Sequence, residues 1–218
     1  MNSLGYTSKR EKKLLAVQGD LAQKIIEIAN RKGMTVYSFT NEVLEQVVIA
    51  DSMNRSIKDI VESYGLLEIE RDSGAVFATT DTLLYMVQRL YEQEKDALLK
   101  NWYESGQWFG KYLQIKFHDG EPLDMLEKLL EAASPKSSEI RIIKNEDELL
   151  VNRLCPNDSP EYTELFSKFL EGIIHSFGFS TKKNDVSKGL IVLEFEKTME
   201  DATSKKLKRG ESRKEVTL

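Results

Sequence analysis

The chain has 218 residues and a net charge of −5; 40% of its residues are hydrophobic and 31% are charged, a composition that can bury a core and is not broadly disordered. The single cysteine, Cys155, excludes an intramolecular disulfide, and with His118 and His175 as the two histidines we expect no structural zinc and no heme. There is no run of about 18 apolar residues to span a membrane and no apolar signal-peptide core at the N-terminus, so we expect a reducing, cytoplasmic setting.

Positive charge is concentrated at the two ends of the chain. Residues 1–35 contain seven Lys and Arg against three acids, and residues 204–218 contain six against two. The overall negative charge argues against indiscriminate coating of nucleic acid. A small basic module joined to an acidic body stays compatible with local phosphate contact, and the alternative is that the basic ends are simply solvated.

The N-terminal part of the chain is predicted to contain one strand and several helices. Residues 1–8 have the composition of a disordered arm, and residues 12–18 predict a short strand. Thr35 is a predicted N-cap, and Gly33 is a predicted stop for the helix before it. Apolar residues at helical spacing predict three helices, over residues 20–32, 36–50 and 56–64.

From residue 66 the hydrophobic period changes. The segment LLEIERDSGAVFAT predicts two short strands around a turn at residues 72–74. A long helix is predicted over residues 82–117, capped by Thr80 or Asp81 and broken near Gln93. After a loop at residues 134–138, the pattern predicts a hairpin made of EIRIIKN and LLVNRL, a helix over residues 160–177, strands at 178–183 and 189–196, and a charged flexible tail.

The predicted strand at residues 12–18 needs a partner for its backbone groups, and residues 1–60 contain no second strand. A symmetric dimer, in which two copies of this strand form an antiparallel ribbon, would supply one. The stretch KKLLAVQGDLAQKIIEIANRKGMTVYSFTNEVLEQVV, and above all its GMTVYSFTNEVL part, resembles a ribbon-helix-helix domain of the CopG/Arc class.

This resemblance implies a homodimer that binds double-stranded DNA with its ribbon in the major groove. Lys12, Leu14 and Ala16 would face the groove, although Leu14 and Ala16 offer only apolar contact to a thymine methyl. The resemblance also places a phosphate at the start of the second helix, and a basic arm would contact the backbone. The predicted DNA-binding residues are Lys9, Arg10, Lys12, Leu14, Ala16, Thr35, Val36 and Tyr37.

Residues 66–197 predict an α+β domain with an antiparallel sheet. Within KNWYESGQWFGKYLQIKF, Gly106 and Gly110 fall on one helix face, where a neighbouring backbone can approach closely. The aromatic residues around them predict either core packing or a pocket for a small apolar ligand, lined by Trp102, Trp108, Phe109 and Tyr112. The YESGQWFGKYL helix and the ending EYTELFSKFLEGIIHSFGF…GLIVLEFEK resemble a 4-vinyl-reductase-like ligand-binding domain, which implies a sensor.

Catalysis finds little support in the sequence. The GxxxxGK[ST], GxGxxG and HExxH motifs are absent. His175 is interpreted as a partly buried histidine with its hydrogen bonds satisfied, and Cys155 has no histidine close in sequence to activate it. We therefore expect no catalytic residue, no metal site and no cofactor.

Together these patterns predict an α+β protein in four parts: a disordered arm (1–8), a ribbon-helix-helix domain (9–65), a ligand-sensing or interaction domain (66–197) and a flexible tail (198–218). The predicted function is a dimeric DNA-binding transcriptional regulator at the nucleoid, whose second domain binds a small apolar ligand or a protein partner. The alternative is a non-enzymatic interaction module that uses the ribbon-helix-helix for assembly. No membrane partner is expected.

Overall fold

A computed structural model describes residues 13–118, 121–135, 137–145 and 147–198. The chain divides into two compact units, Met1–Glu62 and Ser63–Leu218. The predicted arm, the basic residues Lys9, Arg10 and Lys12, and the predicted tail beyond Thr198 lie outside the described residues. None of the helices in the described ranges has the length and hydropathy that a membrane crossing requires.

The described part of the first unit is helical. Thr35 caps the second helix as predicted, because its side-chain oxygen accepts a hydrogen bond from the backbone N–H of Ser38 at 3.1 Å. Gly33, with φ of 68°, follows the first helix and ends it as predicted, since glycine adopts this left-handed conformation without strain. The helices are α1 (Gly19–Arg31), α2 (Val36–Ser52) and the beginning of α3 (Ile57–Asp72).

The predicted N-terminal strand is wrong. Residues 13–18 belong to no strand and lead directly into α1, so a ribbon-helix-helix is not shown in the described part of the chain. Leu14, Leu15 and Val17 are exposed on this segment. A strand is stable only when its N–H and C=O groups form hydrogen bonds with a neighbouring strand, and this segment has no such neighbour among the described residues. Its alternating apolar residues also have no surface on which to pack.

Helix α3 continues to Asp72, where two strands were predicted. Leu66 and Ile69 are three residues apart, and both pack into the core of the second unit, which favours a helix over the alternation in LLEIE. Helix α4 (Thr80–Lys116) is long, as predicted. Its interruption at Glu94, with φ of −138° and ψ of 43°, lies one residue from the predicted break at Gln93.

The remaining elements are two helices and four strands: α5 (Pro122–Ala133), β1 (Glu139–Lys144), β2 (Glu148–Leu154), α6 (Pro160–Ser176), β3 (Phe179–Ser187) and β4 (Leu190–Lys197). The strands form a four-stranded antiparallel sheet in the order β1-β2-β4-β3, with helix α6 connecting β2 to β3. The α+β class is thus confirmed, as are the hairpin, the helix and the two final strands. Helix α5, which was not predicted, packs with α6 against the sheet.

Glycines bring the backbones of α4 and α6 together. A Cβ atom at Gly106 would collide with the carbonyl oxygen of Phe169, and one at Gly172 would collide with that of Tyr103. Gly110 is equally close to α6, which confirms the predicted approach of a neighbouring backbone at Gly106 and Gly110. Since glycines from both helices interlock, these two helices form a rigid pair.

Candidate ligand-binding site

A cavity of about 760 Å³ lies within the second unit. This volume falls in the range of roughly 300–1,000 Å³ that is usual for small-molecule sites. The end of α3, both parts of α4, α5, the end of β2 and the beginning of α6 all contribute to its lining. Its buried or half-buried apolar floor consists of Phe109, Leu129, Leu130, Phe166 and Phe169.

Aromatic rings make the floor of the cavity nearly continuous. The ring centroids of Phe109 and Phe169 are 5.9 Å apart, as are those of Phe166 and Phe169 and those of Tyr162 and Phe166. These separations are typical of interacting aromatic pairs. The rings therefore form one contiguous aromatic cluster beside the cavity.

The four residues predicted to line a pocket divide into two pairs. Trp108 and Phe109 line the cavity, Trp108 as a half-exposed residue and Phe109 as a buried one. Trp102 does not line it but supports its wall, with its ring edge-on to Tyr162 at 5.6 Å. Tyr112 stacks on Trp108 at 5.6 Å and likewise lies outside the lining.

Two buried charged residues, Arg153 and Asp158, also line the cavity. Nη1 of Arg153 lies 2.5 Å from Oδ2 of Asp158, and the two residues are only 4% and 6% exposed. The guanidinium carbon of Arg153 lies 4.4 Å from the ring centroid of Phe166. Pairing is what makes such burial tolerable, because an isolated charge in this position would lose its hydration without compensation.

The turn between β2 and α6 holds Asp158 in place against Arg153. The backbone N–H of Asp158 donates to the carbonyl oxygen of Cys155 at 3.0 Å. Immediately afterwards Ser159 caps α6, accepting a hydrogen bond from the N–H of Tyr162 at 3.2 Å, and Pro160 starts the helix. Strand β2 thus positions Arg153, and the turn that precedes the cap of α6 positions Asp158.

The remaining ionisable residues of the lining are acidic. Glu70 comes from α3 and Glu104 from α4, and Arg153 is the one basic residue among those that line the cavity in the described chain. Burial raises the pKa of the Glu70 carboxyl above its usual value. With Arg153 already paired to Asp158, the lining carries no surplus positive charge to attract an anion.

A second polar cluster connects α4, α6 and β3. Tyr103 lies 2.8 Å from Nδ1 of His175, and Thr181 lies 2.7 Å from its Nε2. The Thr181 hydroxyl donates to Glu171 at 3.2 Å, so it has to accept from Nε2 of His175. In the neutral ring Nδ1 then accepts from the Tyr103 hydroxyl, which itself accepts from Gln107 at 3.2 Å.

The surroundings of His175 and Cys155 make both side chains poorly reactive. Burial is the main cause that lowers the pKa of His175 below its ordinary value, and both of its ring nitrogens have partners. Burial also raises the pKa of the Cys155 thiol, which keeps it in the poorly reactive protonated form. Neither residue lines the cavity.

The described residues with a predicted DNA contact lie in the first unit. Leu14 and Ala16 are exposed on the segment before α1, where no ribbon is formed. Thr35 caps α2, and Val36 and Tyr37 are its exposed first residues. For these five residues a contact with DNA stays a prediction from the sequence.

Arg153, Asp158 and the α5 contribution to the cavity were not predicted from the sequence. A signal for Arg153 exists in the strand ELLVNRL, where Leu149, Val151 and Arg153 occupy successive buried positions. A charged residue at a core position of the strand period indicates either a buried pair or a site. Phe166 and Phe169 lie within the predicted helix over residues 160–177, and the sequence gave no reason to assign them to a cavity lining instead of the core.

The chain matches no family model and no curated protein. Two solved structures of H-NOX proteins are similar to part of it. One comes from a study of heme distortion in the H-NOX family and is 13% identical to this chain. The alignment covers 64% of this chain and 86% of the H-NOX chain, with a TM-score of 0.36. The other comes from a study of H-NOX activation and is 14% identical, with 64% of this chain and 88% of the H-NOX chain aligned and a TM-score of 0.34.

The structure corrects the recognition made from the sequence. Residues 13–18 form no strand, and the described part of the N-terminal unit has helices α1 and α2 with no ribbon before them. The predicted recognition and the predicted DNA-binding regulator are therefore wrong, together with the assembly alternative built on the same motif. The resemblance of the second half to a 4-vinyl-reductase-like domain has no matching family model either.

The cavity does not fit a heme held by histidine. Neither of the two histidines lines it, and the ring nitrogens of His175 are occupied by Tyr103 and Thr181. The likeness to the H-NOX structures, with TM-scores below 0.5, adds no argument for the group. Among the described residues, the cavity lining thus offers no imidazole to a heme iron.

Proposed function

We propose that the second unit binds a small, mostly apolar ligand in its cavity and acts as a ligand-binding domain. The observation that carries this proposal is the aromatic floor, in which Phe109, Phe166 and Phe169 line a cavity of about 760 Å³. Removing apolar surface from water is favourable by about 25 cal/mol per Å². An apolar ligand that covers these rings is therefore stabilised in the cavity.

The cysteine and the histidine take no part in the proposed binding. The Cys155 thiol is buried with a raised pKa, and the ring nitrogens of His175 are engaged in a hydrogen-bond chain away from the cavity. A general base or a nucleophile has to reach the bound molecule, and neither of these two residues lines the cavity. We therefore propose binding as the role of a cavity whose ionisable lining groups include Glu70.

Fluorescence titration with N-phenyl-1-naphthylamine, a neutral apolar dye that brightens when it leaves water, tests the proposal on the full chain. We expect saturable binding to the wild-type protein. Ser105→Trp should weaken binding about tenfold or more, equivalent to about 1.4 kcal/mol, because Ser105 is an exposed cavity-lining position where the added indole occupies ligand space.

Lys111→Trp is the matched control, since Lys111 is an exposed residue of the same helix that does not line the cavity. It should bind the dye as the wild-type protein does. An absence of saturable binding to the wild-type protein, or equal binding by all three proteins, would contradict the proposal.

A second role, self-association of the first unit, is favoured by its exposed apolar surface. Among the described residues of this unit only Ala29, Phe39 and Ala50 are buried hydrophobic residues, whereas α2 exposes apolar side chains along its length. A helix with apolar residues on most of its circumference is usually covered. The exposed side chains of α2 include Val36, Val43, Leu44, Val47, Val48 and Ile49.

A second copy of the chain suits this surface because basic side chains of α1 can pair with the acids of α2. Helix α2 carries three acids and no basic residue, whereas α1 carries the basic Lys24 and Arg31 together with the acidic Asp20 and Glu27. We propose a homodimer formed through these helices, with no strand pairing involved. The apolar residues supply the buried area, and Lys24 and Arg31 of one copy can pair with acids on α2 of the other.

Light scattering after size exclusion tests this second role. We expect a dimer for the wild-type chain and a monomer for Val48→Lys, because Val48 is 70% exposed on α2 and a lysine there would have to be buried in the interface. Ile115→Lys, at an exposed position of α4 in the second unit, should leave the dimer intact. A wild-type monomer at every concentration would exclude the proposal.

A further inference from the structure

The polar end of the cavity points to the kind of group that its ligand carries. Building on the proposed function, we infer that Arg153 binds an uncharged carbonyl or hydroxyl oxygen of an otherwise apolar ligand. The ligand class is then a neutral oxygen-bearing molecule, and neither a carboxylate nor a pure hydrocarbon.

The donors of Arg153 are incompletely used. A guanidinium has five N–H donors. Among the described residues Nη1 donates to Asp158, the flat face lies over Phe166, and the buried Nε has no hydrogen-bond partner. A buried donor without a partner is costly, so an acceptor that reached the guanidinium from the cavity would gain a hydrogen bond that the folded protein lacks.

The charge balance around Arg153 selects against an anion. Asp158 already neutralises the guanidinium at 2.5 Å, and the carboxylates of Glu70 and Glu104 also line the cavity. A ligand carboxylate would lose its hydration and would meet three acids and one base. A carbonyl or hydroxyl oxygen can accept from Arg153 without bringing a further negative charge.

The apolar floor fixes what the rest of the ligand has to be. Beyond the Arg153–Asp158 pair, Phe109, Phe166 and Phe169 present aromatic faces and edges with no hydrogen-bonding groups. A polar group placed against these three rings would lose its water without gaining a partner. The part of the ligand that lies against the rings is therefore apolar, whereas other parts of the lining carry polar side chains such as those of Asn101 and Tyr162.

Three naphthalenes of similar shape test the inference through displacement of N-phenyl-1-naphthylamine from the wild-type full chain. They are 2-acetylnaphthalene, 2-isopropylnaphthalene and 2-naphthoate. Transfer from water alone favours the isopropyl compound, because its side group has no polar atom to dehydrate. We expect the ketone to bind about tenfold more tightly than the isopropyl compound, opposite to their order of transfer, and the carboxylate to bind most weakly.

A double variant then assigns the preference to the buried pair. Arg153→Met together with Asp158→Leu removes both charges at once, a replacement that buried ion pairs often tolerate. It should keep its affinity for 2-isopropylnaphthalene and lose the preference for the ketone. Lys182→Met with Glu148→Leu, an exposed pair outside the cavity, should retain that preference.

The outcomes separate this inference from the proposed function. If none of the three compounds displaces the dye and the dye itself does not bind, the proposed function fails. If 2-isopropylnaphthalene binds as tightly as the ketone, or if 2-naphthoate binds tightest, this inference fails and the proposed function stands. The comparison on the wild-type chain decides the matter even if the double variant does not fold.

Discussion

At the scale of single residues, His175 shows how surroundings fix a protonation state. Its Nε2–H donates to Thr181, which donates in turn to Glu171, so the neutral ring leaves Nδ1 as the acceptor for Tyr103. A proton added to Nδ1 would face the hydroxyl hydrogen of Tyr103 and force it to turn away. Burial is the larger influence and favours the neutral form, whereas the negative charge of Glu171 acts in the opposite direction on the pKa of His175.

The stability of the protein should consequently depend on pH through His175. Burial lowers its folded-state pKa below the ordinary 6.5, so the unfolded chain takes up a proton first as the pH falls. The free energy of unfolding is then highest above about pH 6.5 and decreases below it, until the folded-state pKa is passed. Urea denaturation between about pH 5 and 7 measures this slope.

His175→Gln provides the comparison, because its amide can donate to Thr181 and accept from Tyr103 without titrating. We expect the slope over this pH range to decrease in His175→Gln and to persist in His118→Gln, in which the other histidine is changed. An unchanged slope in His175→Gln would show that other groups produce the pH dependence.

The buried pair at the cavity shows what a sequence reveals about a site at this scale. Arg153 could have been noticed, since it occupies an inward position of β2 after Leu149 and Val151. Its partner Asp158 could not, because nothing in the turn CPNDSP distinguishes an acid that pairs with a buried guanidinium from one that is solvated. Trp108 and Phe109 were proposed from aromatic density alone, a signal that core packing produces equally well.

At the scale of elements, the contact of α4 with α6 depends on glycine. We expect Gly106→Ala to destabilise the protein by about 2 kcal/mol, within the range for overpacked interiors. Its methyl group would overlap the carbonyl oxygen of Phe169, which is backbone and has no rotamer to move away. Urea denaturation followed by circular dichroism measures the loss.

Gly65→Ala is the matched control for that substitution. Gly65 lies within α3, and a Cβ atom there would have nothing within 4 Å. Alanine is the better helix former, so this variant should be more stable than the wild type by about 0.5–1 kcal/mol. A loss of stability in Gly65→Ala similar to that in Gly106→Ala would contradict the assignment of the Gly106 effect to close packing against α6.

The elements themselves were predictable where a local signal marks them. Thr35 starts α2 through a side-chain hydrogen bond, and Gly33 ends α1 through a left-handed backbone conformation. Both are properties of a few neighbouring residues. The extension of α3 over Leu66 and Ile69 depended on burial that the local alternation does not reveal. Helix α5 did carry local signals, with Pro122 in its first turn and leucines at helical spacing, and yet no helix was predicted there.

At the scale of the whole molecule, ligand binding and stability are linked. A compound that binds the folded cavity and not the unfolded chain adds about 2.7 kcal/mol at one hundred times its Kd. Saturating 2-acetylnaphthalene should therefore raise the Tm of the wild-type chain by about 5 °C or more. Calorimetry measures the shift, and Ser105→Trp should show a clearly smaller one.

The cavity is also the feature that the sequence could least predict. Its lining comes from five elements far apart in the chain, from Glu70 on α3 to Phe169 on α6. Each element shows its own apolar face in the sequence, but the space left between faces depends on how closely they pack. The interlocked glycines of α4 and α6 set that spacing on one side of the cavity.

Helix α4 lines the cavity with residues from both sides of its interruption at Glu94. After Glu94, it packs closely on α6 through Gly106 and Gly110. Before Glu94, it contributes Leu83 and Leu84 to the lining. Since the backbone already departs from helical geometry at Glu94, a rotation there would change the width of the cavity while the contact of α4 with α6 stayed in place. The thickness of the bound molecule would then set the angle between the two parts of α4.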